Sequence, residues 1–125
     1  MKVAIIGAGL SGLACAHELE KHGIRPTIYE RNSFIGEQIS YVTSFLQITH
    51  RPIKDALQYI REKFDIDIRP LNTVNTIIHR SPNKTAAMKG NLGYFISRGK
   101  ENEDIKKQIH ATLNNTEYKM NQHVY

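Results

Sequence analysis

The first thirty residues limit what the rest of the chain can become. Lys2-Val3-Ala4-Ile5-Ile6 is short, apolar and rich in β-branched residues, and Gly7-Ala8-Gly9-Leu10-Ser11-Gly12 follows it as a G-x-G-x-x-G. Leu13 to His22 then carries apolar residues at helical spacing and closes at Gly23. Pro26-Thr27-Ile28-Tyr29 reads as a second strand, and it ends in an acid, Glu30. Strand, glycine turn, helix, strand and acid is the order of a βαβ unit that holds a dinucleotide.

Each position has a physical task in such a unit. Gly7 lets the chain turn out of the strand, Gly9 leaves room for a pyrophosphate against the backbone, and Gly12 lets helix and strand pack closely. Leu10 and Ser11 offer backbone N–H groups at the positive end of the helix dipole, and Ser11 adds its hydroxyl. Glu30 places a carboxylate where both hydroxyls of an adenosine ribose reach it. That carboxylate repels a 2′-phosphate, which favours FAD or NAD over NADP. The competing reading is a glycine-rich strand–helix turn without a ligand. It requires three glycines and the acid to coincide by chance.

Val3-Ala4-Ile5-Ile6-Gly7-Ala8-Gly9-Leu10-Ser11-Gly12-Leu13-Ala14 resembles the start of the FAD-dependent oxidoreductases of the glutathione-reductase structural type. Tyr29-Glu30-Arg31, with Gly36 after it, resembles the extension that marks the FAD-binding members. Gly93-Tyr94-Phe95-Ile96-Ser97-Arg98-Gly99, followed by an acidic helix start, is similar to the geranylgeranyl reductase-like flavoproteins. At Glu37 the chain departs from the pattern, which usually has glycine or arginine there. The resemblance implies FAD as cofactor, with NAD as the alternative. It places Gly7, Gly9, Leu10, Ser11, Gly12, Glu30, Arg31 and Gly36 at the adenosine-diphosphate moiety. Arg31 then lies against the adenine or a phosphate, or is simply an exposed arginine.

The resemblance also implies what lies outside this sequence. Members add a fourth strand, a substrate domain and a late Gly-Asp, and none of these follows within the sequence to Tyr125. The expectation is an incomplete α/β Rossmann-like unit without catalytic residues, inactive by itself. Its small-molecule or lipid substrate would bind elsewhere, and its unfinished sheet edge would be open to self-association. Two other classes remain at this point. One is a non-enzymatic lipid carrier of related fold that uses an apolar groove from Ser40 to Ile48. The other is a truncated product without a function of its own.

The 125 residues suit one domain, with residues 1–36 as the phosphate-binding unit. A net charge of +5 raises nucleic acid as a partner, but the lysines and arginines are scattered and carry no recognition motif. No stretch approaches the length of a membrane span, and no signal peptide precedes the first strand, so the expected location is the cytoplasm. The single cysteine, Cys15, allows no internal disulfide and reads as an inert core residue packed on the sheet. His17, His22, His50, His79, His110 and His123 show no metal-ligand spacing, so structural or surface roles are expected.

Further along, Ser40 to Ile48 suits a short strand or loop. Pro52 to Phe64 predicts a helix whose apolar face is Ile53, Ala56, Leu57, Ile60 and Phe64. Ile66 to Leu71 reads as a strand or an extended connection. Residues 73–98 predict an antiparallel β-meander inserted after the βαβ unit: a strand Thr73 to Arg80, a turn Ser81 to Lys84, a return Thr85 to Lys89, a turn Gly90 to Gly93 and a strand Tyr94 to Ser97. Asn102 to Leu113 predicts a helix with Asn102 as N-cap and Glu103 and Asp104 in its first turn. Thr116 to Met120 suits one more strand, which the resemblance implies is the third parallel one.

Overall fold

The computed structural model describes residues 1–35, 53–99 and 103–124 in full and the backbone of 41–46. Gly36, Glu37, Pro52 and Asn102, all singled out from the sequence, lie outside the described residues. The elements in order are β1 (Val3–Ile6), α1 (Leu10–Lys21), β2 (Pro26–Tyr29), β3 (Tyr41–Leu46), α2 (Ala56–Phe64), β4 (Asn72–Arg80), β5 (Thr85–Arg98), α3 (Ile105–His110) and β6 (Glu117–Lys119).

The strands make two sheets. In the first, β1, β2 and β6 run parallel in the order β1-β2-β6, with Ile5 opposite Ile28 and Ile28 opposite Tyr118. Parallel neighbours need crossovers, and α1 supplies the first one. Leu13 and Ala16 of α1 are fully buried against Ile5 and Ile28 of this sheet, and Ile109 of α3 joins them. Ile66 and Ile68 enter the same core, while Asp67 and Arg69 between and beside them are exposed. The alternation read from residues 66–71 is therefore real, but the segment is an extended connection and not a strand.

The second sheet is antiparallel in the order β3-β5-β4. Here the expectation of a turn at Gly90 to Gly93 is overturned. The stretch lies inside β5, a strand of 14 residues. Val74 pairs with Gly93 and Thr76 with Lys89, so the extra residues form a bulge. Gly90 and Gly93 take φ of +147° and +144°, conformations that L side chains rarely adopt, which is why glycine fits a bulge here. Residues 73–98 thus hold two strands, and the third strand of the sheet is β3, paired to β5 from Tyr41–Arg98 to Leu46–Gly93.

Three helix starts differ from those expected. α1 begins at Leu10, so Ser11 and Gly12 are inside it. α2 begins at Ala56, because Asp55 is its N-cap and accepts the Gln58 N–H at 3.0 Å. The Tyr94 hydroxyl also donates to Asp55 and ties α2 to β5. α3 begins at Ile105, because Asp104 caps it through the N–H groups of Lys106 and Lys107. The other Asp104 oxygen accepts the Gly99 N–H, so this fully buried acid joins the end of β5 to α3.

Cys15 is exposed, a correction to the core role expected of it. On α1 the inward residues are Leu13, Ala16 and His17. Cys15 is two positions from Leu13, about 200° around the helix. His17 is the buried polar residue of this face. Its ring nitrogens bond the Thr112 hydroxyl at 2.8 Å and the Phe64 carbonyl at 3.0 Å, which joins α1 to the ends of α2 and α3.

Candidate functional site

The glycine turn lies where β1 ends and α1 begins. Gly7 leaves the strand with φ of +93°, and its N–H donates to the Tyr29 carbonyl at 2.7 Å. Gly9 is the N-cap of α1 and supplies no side-chain cap, and the first turn carries no acid. The Leu13 N–H reaches the Gly9 carbonyl at 3.0 Å, so the N–H groups of Leu10, Ser11 and Gly12 precede the helical ladder. These three residues line a cleft of about 370 Å³ together with Gly7, Gly9, Glu30 and Arg31. A Cβ on Gly9 would have no protein atom within 4 Å, so this glycine keeps open space at the helix start. A Cβ on Gly12 would lie 2.1 Å from the Gly7 carbonyl oxygen, so no side chain fits between helix and turn.

Glu30 is buried, and both carboxylate oxygens are engaged by backbone. One accepts the Ala8 N–H at 2.7 Å and the other the Asn32 N–H at 2.9 Å. The acid therefore shapes the glycine turn before any ligand arrives. Each carboxylate oxygen has further acceptor capacity for a hydroxyl donor. Arg31 is exposed and lines the cleft beside it.

The far wall comes from the end of the described chain. The Glu30 N–H donates to the Lys119 carbonyl at 2.9 Å, and the Gln122 N–H donates to the Glu30 carbonyl at 2.8 Å. These bonds bring Gln122, His123 and Val124 to the cleft, where Ile6 and Tyr29 also line it. None of these five is among the site residues expected from the sequence, where Ile6 and Tyr29 belong to the strand motifs and His123 to the histidines given structural or surface roles. Gln122, His123 and Val124 carry no local motif, and only the parallel pairing of β2 with β6 places them.

Two titratable groups join α1 to β6 away from the cleft. Burial alone would raise the Glu20 carboxyl, but the Thr116 hydroxyl and the N–H groups of Asn114 and Asn115 outweigh it and hold the group below the ordinary value. Those bonds fasten α1 to the entrance of β6. Tyr118 of β6 is pushed up to about 12, first by burial and then by the Glu20 charge. Among the described residues, no group of three His, Cys, Asp or Glu could hold a metal ion, and no helix is long and apolar enough to cross a membrane.

The unit has recognisable relatives. Residues 5–63 match the NAD(P)-binding Rossmann-like domain family. The 15-cis-phytoene desaturase of Synechococcus elongatus is 48% identical over 40 residues, which are 32% of this chain and 8% of that protein. A geranylgeranyl bacteriochlorophyll reductase-like protein from Thermoplasma acidophilum superposes with a TM-score of 0.65 at 15% identity, over 96% of this chain and 30% of its own. A protein from Photorhabdus luminescens subsp. laumondii described as an FAD-containing monooxygenase gives a TM-score of 0.60 at 26% identity, over 97% of this chain and 30% of that one. The chain thus spans under a third of these solved structures, and the curated match is confined to a short stretch.

Proposed function

We propose that the cleft of this NAD(P)-binding Rossmann-like domain, residues 5–63, holds the adenosine-diphosphate half of FAD. The chain is then the cofactor-binding part of a flavin-dependent oxidoreductase. The observation that carries this reading is the meeting of Glu30 with the glycine turn. A buried carboxylate, fixed by the Ala8 N–H, borders the same cleft as the open start of α1. Leu10, Ser11 and Gly12 would receive the diphosphate by their N–H groups, with the helix dipole behind them. Glu30 would accept the ribose hydroxyls and repel a 2′-phosphate. Arg31 would lie along the adenine or pair with a phosphate. Gly36 is proposed to continue the contact. When bound, the flavin supplies the redox chemistry, and these residues bind and orient its adenosine end.

NAD is the second reading, favoured by the description of the matched family. The substrate and the catalytic residues are proposed to lie outside this sequence. We also propose cytoplasmic residence, in keeping with a lone cysteine, and self-association through β1. That strand pairs with β2 alone among the described strands, and Ile6 on it is 63% exposed.

The test is calorimetric titration of the purified chain with ADP, FAD, NADH and NADPH. The expected result is binding of ADP and FAD, weaker binding of NADPH, and loss of all binding in Glu30→Ala. Retention of NADH with no response to FAD would move the assignment to NAD. No response to any of the four would overturn the reading.

A further inference from the structure

The hairpin of β4 and β5 extends past the rest of its sheet, and its composition differs from the remainder of the chain. β3 covers β5 only from Gly93 to Arg98, so the part from Thr76 to Lys89 is a two-stranded ribbon. Every residue from 75 to 91 is exposed except Ile77, which is half-buried. Between Asp67 and Glu101 the sequence has no acid, and within that interval the ribbon carries Arg80, Lys84 and Lys89. Among the described residues, ion pairs join Lys21 and His22 to Glu18, Arg61 to Asp67 and Lys119 to Glu117, and none of them involves the ribbon.

The register sorts the side chains, since residues opposite each other in an antiparallel pair share a face. Thr76 with Lys89, Ile78 with Ala87, and Arg80 with Thr85 make one face. Ile77 with Met88 and His79 with Ala86 make the other. The first face therefore has Ile78, 53% exposed, between the cations Lys89 and Arg80, with Lys84 at the tip. An exposed β-branched hydrophobe between unopposed cations matches a surface that is apolar beneath and anionic above. From this charge and apolar pattern we infer that the ribbon docks on an anionic lipid bilayer, with Ile78 in the interface and Arg80, Lys84 and Lys89 at the headgroups. A nucleic acid would satisfy the cations but offers Ile78 little apolar surface.

Co-sedimentation of the whole chain with vesicles tests the inference. The probes are phosphatidylcholine vesicles with and without phosphatidylglycerol. The expected result is pelleting only with phosphatidylglycerol, reversed by high salt. The Arg80→Glu/Lys89→Glu variant should bind at least about tenfold more weakly, since each basic residue near an anionic surface contributes on the order of fivefold. Ile78→Ser should weaken binding several-fold, and Lys63→Glu, on exposed α2 surface, should leave it unchanged. Circular dichroism checks that each variant is folded, and the lipid and salt dependence of the unaltered chain decides the matter without them. Equal pelleting on both vesicles, no pelleting on either, or an equal loss in Lys63→Glu would each overturn the inference. So would retention on duplex DNA or RNA that the vesicles fail to compete.

Discussion

The Glu30 carboxylate and the Ala8 backbone N–H are 2.7 Å apart across 22 positions of sequence, so the acid at the tip of β2 holds the turn at the end of β1. The same carboxylate accepts the Asn32 N–H at 2.9 Å. One residue thereby serves both the shape of the site and, on our reading, its ligand. Glu30→Gln should separate the two roles. It leaves one oxygen acceptor and sets an NH₂ group against a backbone donor, which costs about 1–3 kcal/mol of stability. ADP affinity should fall by more than the stability loss explains. Urea denaturation beside ADP titration checks both.

The glycines of the turn should fail in different ways. Gly12→Ala sets a Cβ 2.1 Å from the Gly7 carbonyl oxygen and forces α1 from β1, an overpacking that costs about 1–3 kcal/mol or more. Gly9→Ala meets no protein atom within 4 Å, so the fold should keep its stability while the Cβ occupies the cleft. ADP affinity should therefore drop in both variants, but the melting temperature only in Gly12→Ala. A Gly9→Ala variant with native ADP affinity would argue against a diphosphate at this helix start.

The pH dependence of stability should carry two separate signatures. Glu20 is held below its ordinary value in the fold, so its contribution is present above the usual carboxylate range and is lost as pH falls through the depressed folded value. Glu20→Gln should flatten this acid limb. Tyr118 has the opposite sense: its folded value is pushed up to about 12 from 10.0. Its contribution is present below pH 10, the ordinary value, and is lost as pH rises toward about 12. Tyr118→Phe should remove that alkaline loss. Denaturation midpoints across pH check both variants.

His17→Ala should cost about 2–4 kcal/mol, because it leaves a cavity in the core and strips the Phe64 carbonyl and the Thr112 hydroxyl of a shared partner. His17→Phe fills the volume but restores neither bond, so it should recover only part of the loss. Thermal melts of the two variants separate packing from hydrogen bonding.

The βαβ unit was legible because its signals are local: a β-branched run, three glycines at fixed offsets and an acid one strand later. Glu30 could be named on that basis, though its bonds to Ala8 and Asn32 could not. The third parallel strand follows from the family resemblance rather than from its own residues, while the part Gln122, His123 and Val124 play in the cleft is missed because only pairing across the chain brings them to Glu30. Gly90 to Gly93 misled because glycine marks a bulge as readily as a turn. The register of Val74 and Thr76 decides between them, and that register is not a local property of the sequence. At α2 and α3 the apolar spacing was sound but the starts were not. Asp55 lies inside the expected span Pro52 to Phe64 and Asp104 reads as a first-turn acid, whereas each is a cap that stops the helix from extending backward. Cys15 shows the cost of judging by residue type, since its position two residues from Leu13 already turned it away from the core.

The bond from the Gln122 N–H to the Glu30 carbonyl has a consequence for the order of events as the chain is made. The glycine turn and its acid leave the ribosome early, but the wall facing them emerges only after some ninety further residues. Throughout that interval a nascent chain presents half a cleft. A nucleotide that grips both halves would act as a late clasp, favouring the finished arrangement over chains in which β6 has not yet found β2. Cofactor supply during synthesis would then govern how much of the protein reaches its final form.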